Sequence, residues 1–246
     1  MKQRSQLKIL LLQIRDDQVT CQEERDEFVR FSGLDDTQLD TLNVFASPQF
    51  EPKQVDGYDA LFIGGSSDAS VTQPNKYPFV YDSKRLVLHC LDESIPVFAS
   101  CFGFQVAVEA LGGRVILDKE NMEMGTYPLH LTAAAATDIL FHDMPDGFWA
   151  VSGHKERAAT LPENTTLLAF SDRCPYHAFK INNQPFYAFQ FHPEVDPPDL
   201  TARITRYQNR YLENDEHLAK VLIDLQDTTI ANQLIAKFVD RLLLAA

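Results

Sequence analysis

The chain has 246 residues, a formal net charge of −13 and a hydrophobic fraction of 45%. An acidic chain repels phosphate backbones and anionic lipid, so we expect neither nucleic acid nor a membrane as a partner. The length and apolar content suit one large α/β domain, and no apolar stretch reaches the ~18–20 residues that a membrane-spanning helix needs. We therefore expect a soluble, cytoplasmic protein.

Strand and helix patterns alternate along the first half of the chain. Apolar runs of strand length lie at residues 7–13, 42–45, 60–63 and 96–100. Helical patterns fall between and after them, at residues 22–31, 79–91 and 102–111. Such alternation predicts a mostly parallel sheet with right-handed crossovers, in which working residues gather at the carboxyl ends of the strands.

The second half is richer in strand patterns and ends in helical ones. Strands are predicted at residues 115–117, 127–132, 148–152 and 167–170, and a hairpin is predicted from residues 176–181 and 186–191 around a turn at 182–185. Residues 200–244 have apolar positions at helical spacing, with a break near Asp227. We expect one domain over residues 1–199 and a helical extension over 200–246 packed on it. Docking of a partner or a second copy is the alternative for the extension.

The four cysteines predict neither disulfide bonds nor a metal site. They form no C-x-x-C pair, and a chain with this much apolar sequence does not need a disulfide framework. We expect reduced thiols, no metal and no cofactor.

The segment 97–105 has the order of residues that a nucleophile elbow needs. An apolar strand leads through small residues to Cys101, and Gly103 follows in the first turn of a helix. The turn of an elbow is sharp, so its neighbours must be small, and the reactive atom stands above the sheet. The helix dipole would favour the thiolate, and the N–H of Phe102 could donate to an oxyanion. A buried structural cysteine is the alternative that this segment alone leaves open.

A histidine and a glutamate end the last predicted strand. His192 and Glu194 flank Pro193, which cannot donate to a sheet ladder and so belongs at a strand end or edge. In an extended chain, residues i and i+2 point to the same side, so the two side chains are expected to face together. Glu194 can then orient His192, and His192 can deprotonate Cys101.

Gly64 and Gly65 follow the third predicted strand. Glycines there let the backbone approach a ligand closely and aim N–H groups at it, which predicts an oxyanion hole; an ordinary turn is the alternative. Two glycines do not form a dinucleotide fingerprint, so NAD binding is excluded.

These three segments together resemble the class I (triad) glutamine amidotransferases. The family pattern is a Gly-Gly loop, then G-x-C-x-G-x-Q, then H-P-E, and it corresponds here to residues 64–65, 99–105 and 192–194. The chain is most similar to stand-alone members related to the glutaminase part of GMP synthase, and also to γ-glutamyl peptidases. The resemblance implies a flavodoxin-like, three-layer α/β fold with a mostly parallel central sheet, flanking helices and a C-terminal helical extension.

The resemblance also implies a reaction. Cys101 would attack the γ-carbonyl of glutamine or a γ-glutamyl compound, and the backbone N–H groups of Gly65 and Phe102 would hold the oxyanion. His192 would protonate the departing ammonia or amine, and water would hydrolyse the thioester. The residues that the family pattern assigns to the substrate are Gly64, Gln105, Ser152, Gly153 and His154. Glu156 matches an acidic position in related chains, where a purely structural role is the alternative.

The sequence departs from the family pattern at two positions. Ala99 replaces the usual glycine two residues before the cysteine, and Ser66 replaces the proline of the usual Gly-Gly-Pro loop. The chain contains no P-loop and no synthase domain, so ammonia transfer would need a separate synthase protein. A stand-alone γ-glutamyl peptidase and a non-catalytic binding protein on the same fold are the competing hypotheses, and an oligomer is compatible with each of them.

Overall fold

The computed structural model describes residues 2–207 and 215–245. Within them it has eleven strands, which are β1 Ile9–Ile14, β2 Leu39–Asn43, β3 Ala60–Ser66, β4 Val97–Ser100, β5 Arg114–Leu117, β6 Glu123–Leu131, β7 Phe148–His154, β8 Glu156–Thr160, β9 Thr165–Phe170, β10 Ala178–Ile181 and β11 Phe186–Phe189. The six α-helices of the same residues are α1 Gln18–Ser32, α2 Phe79–Asp92, α3 Phe102–Ala110, α4 Pro197–Arg206, α5 Asp215–Ile223 and α6 Thr229–Phe238.

Nine of these strands form one central sheet in the order β2-β1-β3-β4-β11-β10-β9-β6-β7. The first five run parallel, in an order that is typical of flavodoxin-like doubly wound folds. The last four are antiparallel and extend the sheet on one side. The parallel strands therefore bring their carboxyl ends to one edge, as the alternating sequence pattern predicts.

Buried side chains alternate between the two faces of the parallel strands. In β1, Ile9 and Leu11 join a core with Phe28 of α1 and Phe238 of α6, and Leu10 and Leu12 join the core on the opposite face, under α2 and α3. Strands buried on both faces read as continuous apolar runs, which is why β1 and β3 were readable from sequence. The result is the predicted three-layer α/β arrangement.

The boundaries of several elements differ from the prediction. β3 continues through both glycines to Ser66, because it keeps pairing with β1 as far as Ile14↔Ser66. The short strand β5 pairs with β8 in a separate two-stranded sheet, and β8 was not predicted. The hairpin β10–β11 is confirmed, and Asn183 in its turn has a positive φ of 61°.

Helices follow the sheet at the end of the chain. α6 packs on α1, and the buried Leu234, Ile235 and Phe238 join the core on that face. The predicted break near Asp227 lies between α5 and α6, and the part of the predicted helical tail at residues 208–214 falls outside the described residues. Among the described helices, none combines the length and apolar character that crossing a membrane requires.

Candidate active site

Cys101 lies at the sharp turn between β4 and α3. Its backbone has a φ of 47° and a ψ of −96°, a strained conformation for a residue with a Cβ. The N–H of Cys101 donates to the carbonyl of Phe189 on β11 over 2.7 Å, which fixes the turn to the neighbouring strand. Gly103 is required by close packing, because a Cβ there would lie 2.8 Å from the Cβ of Ile63. The geometry is that of the predicted elbow.

His192 and Glu194 do approach each other, but through a turn and not through an extended strand. β11 ends at Phe189, and His192 makes only an isolated antiparallel bridge to Val151, whose carbonyl accepts from its N–H over 2.8 Å. The chain then turns, and His192 Nδ1 donates to Glu194 Oε1 over 2.7 Å. The predicted contact is present, but the backbone at residues 192–194 forms a turn and not the predicted extended chain.

The carboxylate of Glu194 is completely buried and has a second donor. Ser100 Oγ donates to Glu194 Oε1 over 2.9 Å. Burial alone would raise the pKa of Glu194, but the charge and hydrogen bond of His192, together with Ser100, lower it below its usual range. Glu194 is therefore ionised and holds the ring of His192 in one orientation.

His192 is held in its charged form. Burial acts to lower the pKa of His192, but the charge of Cys101, then that of Glu194, and the hydrogen bond that Glu194 accepts raise it above its usual range. A cysteine beside an imidazolium has both a base for its own proton and an acid for a leaving group close by. The arrangement can therefore carry out nucleophilic substitution at a carbonyl carbon.

Two more groups lie around the sulfur of Cys101, which is 5% exposed. The carbonyl of Gly153 lies 3.9 Å from Sγ, and Nε2 of the buried Gln190 lies 3.9 Å from it on the side of β11. Gln190 also accepts a long hydrogen bond of 3.4 Å from Gln105 Nε2. Gln190 was not singled out in the sequence, although it precedes His192 by two residues.

The predicted oxyanion donors belong to the end of β3 and to the start of α3. Phe102 is the first residue of α3, where a backbone N–H has no partner within the helix. The last paired residues of β3 and β4 are Ile63 and Ala99, so Gly65 extends beyond that ladder. We refer to residues 64–67 as the glycine segment. Neither of its glycines has a positive φ, so no left-handed turn requires them. They are required because a Cβ at either position would lie too close to neighbouring side chains.

A cavity of about 310 Å³ opens above the thiol. It is lined by the serine-rich end of the glycine segment, by the start of α3, by the end of β7 and by two apolar side chains; the residues are Ser66, Ser67, Asp68, Ala69, Ser70, Cys101, Phe102, Gln105, Leu117, Met124, Gly153, His154, Lys155 and Glu156. A volume near 300 Å³ suits a small polar molecule.

The predicted substrate residues divide into those that line this cavity and those that do not. Gln105, Gly153 and His154 line it. Gly64 and Ser152 do not: Gly64 lies against the carboxylate of Glu24, and Ser152 is completely buried, with no hydrogen-bond partner for its hydroxyl. The structure therefore does not support contact of Gly64 or Ser152 with a substrate bound in this cavity.

Gln105 and Glu156 form a polar wall of the cavity. Gln105 Nε2 donates to the backbone carbonyl of Glu156 over 3.0 Å. Glu156 Oε1 accepts from Ser70 Oγ over 2.5 Å and from Thr72 Oγ1 over 2.9 Å. The carboxylate of Glu156 is thus fixed at the cavity and has capacity left to accept from a cation.

Behind His154 lies a buried acid–histidine cluster. Glu123 Oε2 is 3.1 Å from Nε2 of His154 and 2.8 Å from Nε2 of His177. Among the described residues, His154, Cys174 and His177 form the one group with metal-ligand atoms within 4.8 Å of one another. Glu123 already lies against both imidazoles, so the arrangement is a buried contact of one acid with two histidines, and we assign no metal to it.

A family model for class I glutamine amidotransferases matches residues 38–209. GMP synthase [glutamine-hydrolyzing] of Vibrio atlanticus is 32% identical over 137 residues, which cover 56% of this chain and 24% of that protein. A glutamine-hydrolysing GMP synthase subunit of Methanosphaera stadtmanae is 31% identical over 124 residues, which cover 50% of this chain and 64% of that protein. The chain therefore spans less than two thirds of the length of either relative.

A similar fold is known from a solved structure. The crystal structure of a glutamine amidotransferase from Thermotoga maritima superposes with a TM-score of 0.76 at 18% identity, covering 96% of this chain and 97% of the other. At that identity the likeness shows the fold alone. It confirms the predicted architecture over nearly the whole chain.

Proposed function

Because the chain belongs to the class I glutamine amidotransferase family, we propose that it hydrolyses the γ-carboxamide of glutamine, with Cys101 as nucleophile. One observation carries the proposal most directly. The strained elbow presents Cys101 to His192, and Glu194 orients His192 over 2.7 Å. Nucleophile, base and orienting acid are the three parts that covalent catalysis at an amide requires.

The proposed reaction gives each of these groups one role. The thiolate of Cys101 attacks the γ-carbon, and the N–H groups of Phe102 and Gly65 stabilise the oxyanion that forms. The C–N bond breaks as His192 gives its proton to the nitrogen, and ammonia leaves. Water then gives a proton to His192 and its hydroxyl to the acyl carbon. The C–S bond breaks, and glutamate leaves as the thiolate is restored.

The polar wall of the cavity favours an amino acid as the substrate. Glu156 is held by Ser70 and Thr72 and offers its carboxylate to an α-ammonium group. Lys155 lines the same cavity and offers a positive charge to an α-carboxylate. Because the two residues of opposite charge line one cavity, we propose that they select the α-amino acid end of glutamine.

The relatives suggest where the ammonia goes. One of them is a single subunit of a glutamine-hydrolysing GMP synthase. We propose that a separate synthase protein is the partner of this chain. In that case glutamine hydrolysis by the purified protein is slow and rises when the synthase is added with its own substrates.

Hydrolysis of γ-glutamyl peptides is a second candidate. Leu117 and Met124 line the cavity, and Leu117 is 56% exposed. An exposed apolar side chain that lines a polar cavity favours a leaving group larger than ammonia. A kcat/KM for a γ-glutamyl dipeptide well above that for glutamine would select this candidate.

One experiment tests both candidates. Ammonia and glutamate are measured with glutamine as substrate, and amino acid release is measured with γ-glutamyl dipeptides, for the wild type and Cys101→Ala. We expect turnover of at least one substrate by the wild type and none by the variant. A protein that turns over neither substrate, and whose Cys101 is not labelled by a chloroketone analogue of glutamine, would contradict the proposal.

A further inference from the structure

A buried ion pair lies beneath the glycine segment and takes no part in the chemistry proposed so far. Arg15 is the first residue after β1, and Glu24 lies in the middle of α1. Arg15 Nε and Glu24 Oε1 are 2.9 Å apart, and their side chains are 3% and 0% exposed. Burying two charges is costly, so a chain that retains such a pair gains little net stability from it.

The pair occupies the space that side chains on the two glycines would need. A Cβ on Gly64 would lie 2.5 Å from Glu24 Oε1 and 2.9 Å from Oε2. A Cβ on Gly65 would lie 3.1 Å from Arg15 Nη2. The glycines are therefore required because the carboxylate and the guanidinium pack directly against the backbone of residues 64 and 65.

Arg15 also holds the far end of the glycine segment. Its Nη1 donates to Ser67 Oγ over 3.0 Å. The imidazole of His192 approaches the same face of Gly65, since that same Cβ would be 2.7 Å from His192 Cε1. The guanidinium of Arg15 and the ring of His192 thus both pack where a side chain of residue 65 would lie.

We propose that Arg15 and Glu24 are positioning residues that fix the backbone of Gly65 for oxyanion binding. The inference rests on the proposed function, because it concerns a donor that works only in acyl transfer. Neither residue lines the cavity above the thiol. They act through the glycine segment, so their loss slows the chemical step and leaves substrate binding nearly unchanged.

A chemical contrast separates this role from a merely structural one. Hydrolysis passes through an oxyanion and needs the Gly65 N–H, whereas alkylation of Cys101 by iodoacetamide forms no oxyanion. Loss of the pair should therefore slow hydrolysis without slowing alkylation. Loss of the folded site would change both rates together.

The decisive variant is Glu24→Gln, which keeps the shape of the side chain and removes its charge. We expect kcat to fall about 10- to 100-fold, as for a donor displaced by a fraction of an ångström, with KM and the alkylation rate within about twofold of the wild type. Glu24→Asp, which keeps the charge, should recover part of kcat. Ser67→Ala leaves the ion pair intact and should lower kcat by about threefold, which keeps the inference testable if Glu24→Gln does not fold.

A matched control lies one turn further along α1. Glu27 is also buried, and its ionic partner, Arg203 of α4 at 2.6 Å, lies outside the glycine segment. Glu27→Gln should leave kcat within about twofold of the wild type.

Two different failures can be told apart. If the wild type is active and kcat is unchanged in folded Glu24→Gln and Ser67→Ala, the inference is wrong but the proposed function stands. The same holds if kcat and the alkylation rate fall equally. A wild type that turns over no γ-glutamyl substrate removes the proposed function, and the inference with it.

Discussion

Ser100 donates a hydrogen bond of 2.9 Å to Glu194, the acid that contacts the proposed catalytic base His192. The residue before the nucleophile is therefore joined to the residue behind the base, across 94 positions of sequence. The hydroxyl and the carboxylate are both completely buried. Hydrogen bonds therefore join the turn at Cys101 to His192 through Ser100 and Glu194.

Removing that hydroxyl should reduce activity more than stability. In Ser100→Ala, the buried Glu194 loses one of its two donors, which costs about 1–3 kcal/mol and loosens the orientation of His192. We expect kcat to fall about tenfold, with KM nearly unchanged. Ser83→Ala is the matched control, because Ser83 is equally buried and its hydroxyl donates to the carbonyl of Phe79 within α2. Equal effects of the two substitutions on kcat would remove the role we give Ser100.

Gly65→Ala should abolish activity in a protein that still folds. The added Cβ would lie 2.7 Å from His192 Cε1, so the ring must move away from Cys101. We expect a loss in kcat of at least about 100-fold, which is typical when a base is misplaced by about 1 Å. Circular dichroism and a thermal melt report whether the variant is folded. Gly65→Ala with more than a tenth of wild-type activity would contradict the packing described for this glycine.

Gly103→Ala provides the opposite case. Its Cβ would lie 2.8 Å from the Cβ of Ile63 and 2.9 Å from the backbone oxygen of that residue, and a backbone atom cannot move aside cheaply. Overpacking of this kind costs about 1–3 kcal/mol, so here the free energy of unfolding should fall. Urea denaturation measures the difference between the two glycine variants.

Native alkylation should label one cysteine. Burial raises the pKa of both Cys90 and Cys174 to about 12, and burial followed by the charges of Glu24 and Asp17 raises the pKa of Cys21. These thiols are protonated at pH 7.5 and react slowly, whereas Cys101 is paired with an imidazolium. We expect iodoacetamide to modify Cys101 alone within minutes, as read by peptide mass spectrometry. His192→Ala should slow the labelling, and faster labelling of Cys174 than of Cys101 would refute the assignment.

An acid-sensitive contact joins Lys237 and Arg241, near the end of the chain, to Asp143. The hydrogen bond from Arg241, and then the contact with Lys237, lower the pKa of Asp143 well below its usual range. A carboxylate with a lowered folded-state pKa adds stability above its unfolded pKa, and that stability is lost as the pH falls through the folded value. Asp143→Asn should therefore lower the free energy of unfolding at pH 7 by less than about 1 kcal/mol, since the side chain is 40% exposed. The difference should shrink toward pH 2, and a larger difference at pH 3 than at pH 7 would contradict the ion pair.

Much of the parallel half of the fold could be predicted from the sequence. Its strands are buried on both faces, so they stand out as apolar runs such as residues 60–63, and glycines such as Gly33 end the helices. Strand β8 was harder to predict, because it is short, only partly buried and lies in a separate two-stranded sheet. Its residues have no strong period, and only the pairing with β5 makes them a strand.

The site could be predicted where its chemistry lies in contiguous motifs. Cys101, His192 and Glu194 each stand in a recognisable local pattern, and the structure brings them together. Arg15 and Glu24 could not be found in this way, because an arginine after a strand and a glutamate in a charged helix look like surface residues. Their role depends on the packing of α1 against β3, which no local pattern encodes.

The reaction intermediate offers the most direct test of the account. The protein is mixed with glutamine, quenched in acid within the first turnovers and digested. The mass of the peptide that contains Cys101 is then measured by mass spectrometry. We predict that this peptide gains the mass of one γ-glutamyl group, bound as a thioester that hydroxylamine removes, and that His192→Ala accumulates none. Turnover of glutamine without any such adduct, or turnover that persists in Cys101→Ala, would contradict Cys101 as the nucleophile.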